Sequence, residues 1–181
     1  MKVVENFEEI KGLYYIENYL TKDESKEFEH YIVTNTNLEP ISTAKSSRRV
    51  AHFGYYYSYN HTGLKPAPPI PEWLDQLMDY TLPMLNVKFD QIIINEYTPG
   101  QQIAYHTDHV KLFGPMIACI TVGKSIPIQF QKDGIVKTLN IESGSMYIMT
   151  DEARYQWQHS LKNNSKETRY SITYRTVINT M

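Results

Sequence analysis

Several scarcities bound this 181-residue chain before any pattern is read. One cysteine, Cys119, rules out an intramolecular disulfide framework and any zinc site built from several thiolates. No run of 18 apolar residues occurs, which excludes a membrane-spanning helix. The opening Met1-Lys2-Val3-Val4-Glu5-Asn6 puts charge within the first positions and lacks a signal-peptide core. Strong charge of either sign is also missing. The net charge of −2 argues against a protein that grips nucleic acid over its whole surface. These absences lead us to expect a soluble, intracellular protein with no membrane partner, the cytoplasm favoured over the nucleus, and a monomer.

What is present suits a packed domain. The chain is 41% hydrophobic and 13% aromatic, and at this length folding buries roughly 70% of the unfolded surface. The charge is unevenly spread: residues 37–65 hold Lys45, Arg48, Arg49 and Lys65 against Glu39, a local +3 that leaves −5 for the remainder of the −2 total. A polyanion would meet a patch, not a uniformly basic surface.

Thr21-Lys22-Asp23-Glu24 has the form of a capping box and opens a helix to about Val33. The polar stretch from Asn35 to Ser47 reads as a loop, and Arg48 to Asn60, rich in tyrosine, as extended. Pro66-Ala67-Pro68-Pro69-Ile70-Pro71 is a stiff connector whose last proline starts a second helix from Glu72 to about Leu82. From Gln91 onward short β-rich runs follow at Gln91–Tyr97, Met116–Val122, Ile126–Gln131, Val136–Asn140, Ser145–Met149, Tyr155–His159 and Tyr170–Val177. Turn signals such as Asp133-Gly134 separate several of them. This pattern is mainly β, of the sandwich or jelly-roll kind. We read one domain over residues 1–181, with about 1–90 as helical cap and lid and about 91–178 as the β core.

Two constellations carry chemistry. In His106-Thr107-Asp108, residues two apart on an extended chain face the same side, so imidazole and carboxylate can converge on one ion. Alone, such a pair also fits a solvated turn. His159, on a later strand, would complete two histidines and a carboxylate, the facial triad of non-haem Fe(II) oxygenases. The second is Arg169-Tyr170-Ser171-Ile172-Thr173-Tyr174-Arg175. Arg169, Ser171, Thr173 and Arg175 share one face of a strand, which is either a solvated face or the lining for a dicarboxylate.

Together Asn95-x-Tyr97, Pro99-Gly100, His106-x-Asp108, His159 and Arg169-x-Ser171-x-Thr173-x-Arg175 resemble the AlkB family of Fe(II)/2-oxoglutarate dioxygenases, over roughly Arg48 to Val177. The resemblance implies a double-stranded β-helix preceded by N-terminal helices and a nucleotide-recognition lid. It implies Fe(II) ligated by His106, Asp108 and His159, with 2-oxoglutarate as co-substrate and O2 as oxidant. Arg169 would pair with the far carboxylate of 2-oxoglutarate, Arg175 would lie near its iron-chelating end, and Asn95, Tyr97 and Ser171 would complete its pocket. Arg48-Arg49 with His52-Phe53-Gly54-Tyr55 looks like the lid segment that meets nucleic acid, and Arg154-Tyr155-x-Trp157-x-His159 is similar to the tRNA wobble-uridine hydroxylase branch. Where repair-type members commonly carry an acid two residues past the iron-binding aspartate, this chain has Val110.

The implied activity is hydroxylation or oxidative demethylation of a modified base, with RNA or tRNA favoured over DNA. The same iron chemistry on a protein or small molecule, or DNA alkylation repair, is the alternative. For the substrate we name Arg48, Arg49, Phe53, Tyr55, Tyr57 and Arg154. Phe53, Tyr55, Tyr56, Tyr57 and Tyr59 either stack bases or pack the core. His109 is expected to point away from the His106–Asp108 face. Cys119 reads as core, His30, His52 and His61 as surface or hydrogen-bonded histidines, and Trp157 either as a wall of the iron pocket or as core.

Overall fold

The computed structural model describes residues 1–58 and 63–181, so Tyr59 and His61 lie outside the described residues. The strands of the first half are β1 (Lys2–Val4), β2 (Leu13–Glu17), β3 (Glu39–Pro40), β4 (Arg49–Phe53), β5 (Tyr55–Tyr57) and β6 (Leu64–Pro66). Helix α1 (Lys22–Asn35) lies between β2 and β3, and a single turn, α2 (Glu72–Asp75), follows β6. Then come β7 (Gln91–Tyr97), β8 (Gln102–His106), β9 (Ile117–Gly123), β10 (Ile128–Lys132), β11 (Ile135–Leu139) and β12 (Met146–Met149). Helix α3 (Asp151–Tyr155), β13 (Gln158–Lys162) and β14 (Arg169–Arg175) complete the chain.

These strands form an eight-stranded sheet in the order β1-β2-β12-β9-β14-β7-β4-β3 and a four-stranded sheet in the order β11-β10-β13-β8, with β5 and β6 paired separately. This is a mainly β, antiparallel jelly roll. Ile117, Cys119 and Met149 of the large sheet share one buried cluster with Ile128, Phe130, Leu139 and Leu161 of the small sheet. The two sheets therefore face each other. On the outer face of the large sheet, Ile92, Ile94, Ala118, Ile120, Ile148 and Ile172 pack with Ile32 of α1 and Leu74 of α2. Burial on both faces explains why β9 reads Ile-Ala-Cys-Ile-Thr-Val with almost no alternation.

Several sequence expectations meet the structure directly. The capping box of α1 is formed, with Thr21 Oγ1 accepting from Glu24 N at 3.1 Å and Glu24 Oε1 accepting from Thr21 N at 2.9 Å. Asp133-Gly134 turns the β10–β11 hairpin with φ of 48° and 79°, the pair of positive angles such a two-residue turn requires. The second helix stops at Asp75 instead of near Leu82. Asp79 Oδ1 takes both the backbone N–H and the hydroxyl of Thr81, and Tyr19 Oη accepts from Asp79 N, so local side-chain bonds replace helical ones. Residues 151–155 are helical, and the strand that follows is β13, shifted past the expected Tyr155–His159. The first ninety residues also do more than cap the core, because β1, β2, β3 and β4 are half of the large sheet.

Candidate metal centre and co-substrate pocket

The centre is built where the edge of the small sheet ends. His106 is the last residue of β8, and His159 of β13 sits directly opposite it, with ring centroids 4.2 Å apart. Asp108 lies just beyond the end of β8. Its Oδ1 is 3.6 Å from Nε2 of His106 and 3.6 Å from Nε2 of His159. The three ligand atoms fall within 4.8 Å of one another. Nδ1 of His106 is 2.8 Å from the Ala104 carbonyl oxygen, which places its proton there and leaves Nε2 as a lone-pair donor. Two imidazole nitrogens and one carboxylate oxygen within reach of one point, without thiolate, are a donor set that would fit Fe(II).

The electrostatics favour that role. Burial pushes the Asp108 carboxyl up, but the surrounding Arg175, His159, His106 and Arg154 outweigh it and hold the group well below the usual carboxylate range. Arg175 does this by direct contact, donating from Nη1 to Asp108 Oδ2 at 2.9 Å and from Nε to Gln91 Oε1 at 2.8 Å. The two carboxylate oxygens are thus divided, one to Arg175 and one to the histidines. His159 is pushed down to about 3, first by burial and then by His106, so its imidazole is neutral at physiological pH.

A cavity of about 340 Å³ runs from this triad to Arg169. It follows from strand alternation: Ile93, Asn95 and Tyr97 of β7 and Arg169, Ser171, Thr173 and Arg175 of β14 line it, while Tyr170, Ile172 and Tyr174 face the helices. Arg169 is 2% exposed, donates from Nη2 to Thr121 Oγ1 at 2.9 Å, and leaves a buried Nε without a partner. Among the described residues no carboxylate pairs with it. A buried guanidinium in this state is completed by an anion, and a dicarboxylate reaching from the triad would supply one. Arg48 shares the cavity, donating to Asn95 Oδ1 at 3.1 Å, and both Arg48 and Arg169 lie about 6 Å from the centre of the Tyr97 ring.

Among the residues the sequence suggested for substrate, Arg48 and Tyr57 line this cavity. The others are elsewhere. Arg49 is forked onto Glu96, with distances of 2.7 and 2.9 Å, on the helix side of the large sheet, where Tyr170 also donates to Glu96. Phe53 packs against the helix-side core and lines a separate groove with His52 and Tyr56. Tyr55 packs on Leu64, Leu112 and Phe113. Arg154 is 2% exposed and donates to the backbone carbonyls of Asp108, Phe113 and Gly114. Trp157 belongs to the inter-sheet core and is absent from the cavity wall. His109, which the extended reading aimed away, lines the cavity because the chain leaves the strand after His106. Thr121 and Tyr147 were missed; their only signal was a polar or aromatic residue at an inward position of a hydrophobic strand.

Comparison with known proteins agrees with this geometry. A family model described as the 2OG-Fe(II) oxygenase superfamily matches residues 12–175. Uncharacterized protein L905 of Acanthamoeba polyphaga mimivirus is 31% identical over 186 residues, covering 93% of this chain and 86% of its own. The tRNA (carboxymethyluridine(34)-5-O)-methyltransferase ALKBH8 of Macaca fascicularis is 30% identical over 159 residues, 83% of this chain but 24% of its own, so the chain spans about a quarter of that relative. Among solved structures, OsALKBH1 superposes with a TM-score of 0.73 at 12% identity, covering 91% of this chain and 96% of that one.

Proposed function

Because the chain belongs to the 2OG-Fe(II) oxygenase superfamily and is similar to AlkB-type relatives, we propose that this Fe(II)- and 2-oxoglutarate-dependent enzyme is of the AlkB kind and hydroxylates or oxidatively demethylates a modified base in nucleic acid, RNA or tRNA in preference to DNA. The observation that carries the reading is the union, in one cavity, of the His106–Asp108–His159 cluster and a buried Arg169 that has no carboxylate paired with it among the described residues. The macaque relative, with a tRNA activity in its name, supports the choice of polymer.

Iron bound at this cluster, with 2-oxoglutarate and O2, supplies oxidation of an unreactive C–H bond coupled to loss of carbon dioxide from the co-substrate. The residues of the chain bind and orient. His106, Asp108 and His159 hold the metal, and Arg175 keeps Asp108 ionised and fixed. Arg169, steadied by Thr121, receives the far carboxylate, with Asn95, Tyr97 and Ser171 around the rest of the molecule. Ile41, Arg48, Tyr57, Tyr105 and His109 also line the cavity, where a flat base can stack and hydrogen-bond. The outcome depends on the target carbon. An N-methyl carbon, once hydroxylated, leaves as formaldehyde, whereas a carbon substituent keeps its hydroxyl. Among the described residues no helix is long and apolar enough to cross a membrane.

The test is turnover on defined modified nucleosides in RNA and in DNA, with methylated peptides in parallel, read by mass spectrometry and by succinate formed. Oxidised RNA nucleoside coupled to succinate is the expected result. Turnover confined to peptides or free small molecules would move the substrate to the alternative class and leave the iron chemistry in place.

A further inference from the structure

Arg154 is used by nothing in the function above, yet it is among the most deeply buried large side chains in the protein. Its three nitrogens donate to three backbone carbonyls of one segment: Nε to Gly114 at 2.9 Å, Nη1 to Asp108 at 2.8 Å and Nη2 to Phe113 at 3.2 Å. Among the described residues no carboxylate is paired with it. Asp108 is near enough to interact with its charge but makes no direct ion pair with it, and burying a guanidinium without a carboxylate in contact is costly. What arginine alone provides is a rigid planar fork that sets several acceptors at once.

The acceptors tell what is being set. Asp108 is the triad member outside regular structure, beyond the end of β8, whereas His106 and His159 are held by the β8–β13 pairing. Its side chain is fixed by Arg175 and its backbone carbonyl is gripped by Arg154. Arg154 lies on α3, which leads into β13 and its ligand His159. The same two segments are stitched again where Thr107 Oγ1 donates to the Trp157 carbonyl at 3.3 Å. Arg154 therefore ties the chain carrying one ligand to the chain carrying another.

We propose that Arg154 is a positioning residue for the metal centre: by clamping the 108–114 segment onto α3 it sets the aim of Asp108 relative to His159. Its side chain is not part of the cavity wall. The proposal rests on the iron site and not on the nucleic-acid reading.

The test is Co(II) titration of the full chain and of R154M and R154K, following both affinity and the visible d–d spectrum. I32A, which hollows the helix side of the large sheet far from the centre, serves as a control of reduced stability. Arg154→Met is expected to weaken Co(II) by about 10- to 100-fold, as loss of an orienting partner around a metal ligand does, and to alter the spectrum. Arg154→Lys, which keeps the charge but not the fork, is expected to recover only part of the affinity. Unchanged affinity and spectrum in a folded R154M, or an equal loss in I32A, would overturn the proposal. Should R154M not fold, R154K decides by the same readouts. A parent protein that binds no Co(II) would instead remove the metal reading itself.

Discussion

Replacing Arg169 by methionine separates two quantities that an ordinary structural arginine would change together. Among the described residues this guanidinium, 2% exposed, donates to Thr121 and has a buried Nε without a partner. Replacing a whole buried ion pair by apolar residues of similar size is commonly neutral, or stabilising by about 1–4 kcal/mol; Arg169 has no paired carboxylate among the described residues that its loss would strand, and the bond to Thr121 is worth about 1 kcal/mol. The ligand-free variant should therefore melt at the parent temperature or a few degrees above it, since about 1 kcal/mol moves a domain of this size by roughly 2–4 °C. Affinity for 2-oxoglutarate moves the other way. Removing one partner of a desolvated charge pair costs about 2–5 kcal/mol, which is roughly 30-fold to several thousand-fold in Kd. Anaerobic calorimetry of 2-oxoglutarate into Mn(II)-loaded protein, beside thermal scans of the metal-free protein, measures both. A variant that loses stability yet binds 2-oxoglutarate as tightly as the parent would refute the anchoring role.

Arg49→Ala should leave turnover unchanged and lower stability by about 1–2 kcal/mol, because it strips the fork from buried Glu96 while the arginine itself is half exposed; chemical denaturation checks the cost and steady-state kinetics the indifference. His52 is pushed down from 6.5 to about 4 by burial and then by Arg175. Protonation therefore favours the unfolded chain: stability is complete above about pH 6.5 and declines as pH falls toward 4, by up to ~3 kcal/mol. Parent minus H52Q stability, measured across that window, should carry this slope, and parallel curves would contradict it. With the half-exposed Arg49 engaged by Glu96 and Arg48 buried, Lys45 and Lys65 are the exposed lysines of the basic segment. If they alone meet phosphate, log K for single-stranded RNA should fall against log salt with a slope of about −1.4. A slope twice as steep would bring in cations from elsewhere on the surface.

The parts of the site legible in the sequence are those encoded by strand period. Arg169, Ser171, Thr173 and Arg175 alternate with residues that face the helices, and on β7 Asn95 and Tyr97 do the same. His106-x-Asp108 is legible by spacing, although Gln102–His106, which forms β8, carries no clear strand pattern. What stayed hidden depends on partners distant in sequence. Arg49 and Arg154 look like surface arginines until Glu96 and the carbonyls of residues 108, 113 and 114 are placed beside them. Nothing near either arginine marks it as buried or engaged. Likewise β2 is too short to announce itself, and only its pairing with β12 brings it into the large sheet. The turns after Asp75 were settled by Tyr19, some sixty residues upstream, reaching Asp79.

The claim beneath all of this is that His106, Asp108 and His159 form one ferrous site that consumes 2-oxoglutarate. Anaerobic Fe(II) titration of the parent and of its His106→Ala, Asp108→Ala and His159→Ala variants, followed by admission of oxygen and measurement of succinate, tests it most directly. The account predicts one tightly held Fe(II) per parent chain with succinate formed, and the loss of both in each variant. Parent-level iron binding together with parent-level succinate in any one of the three would contradict it.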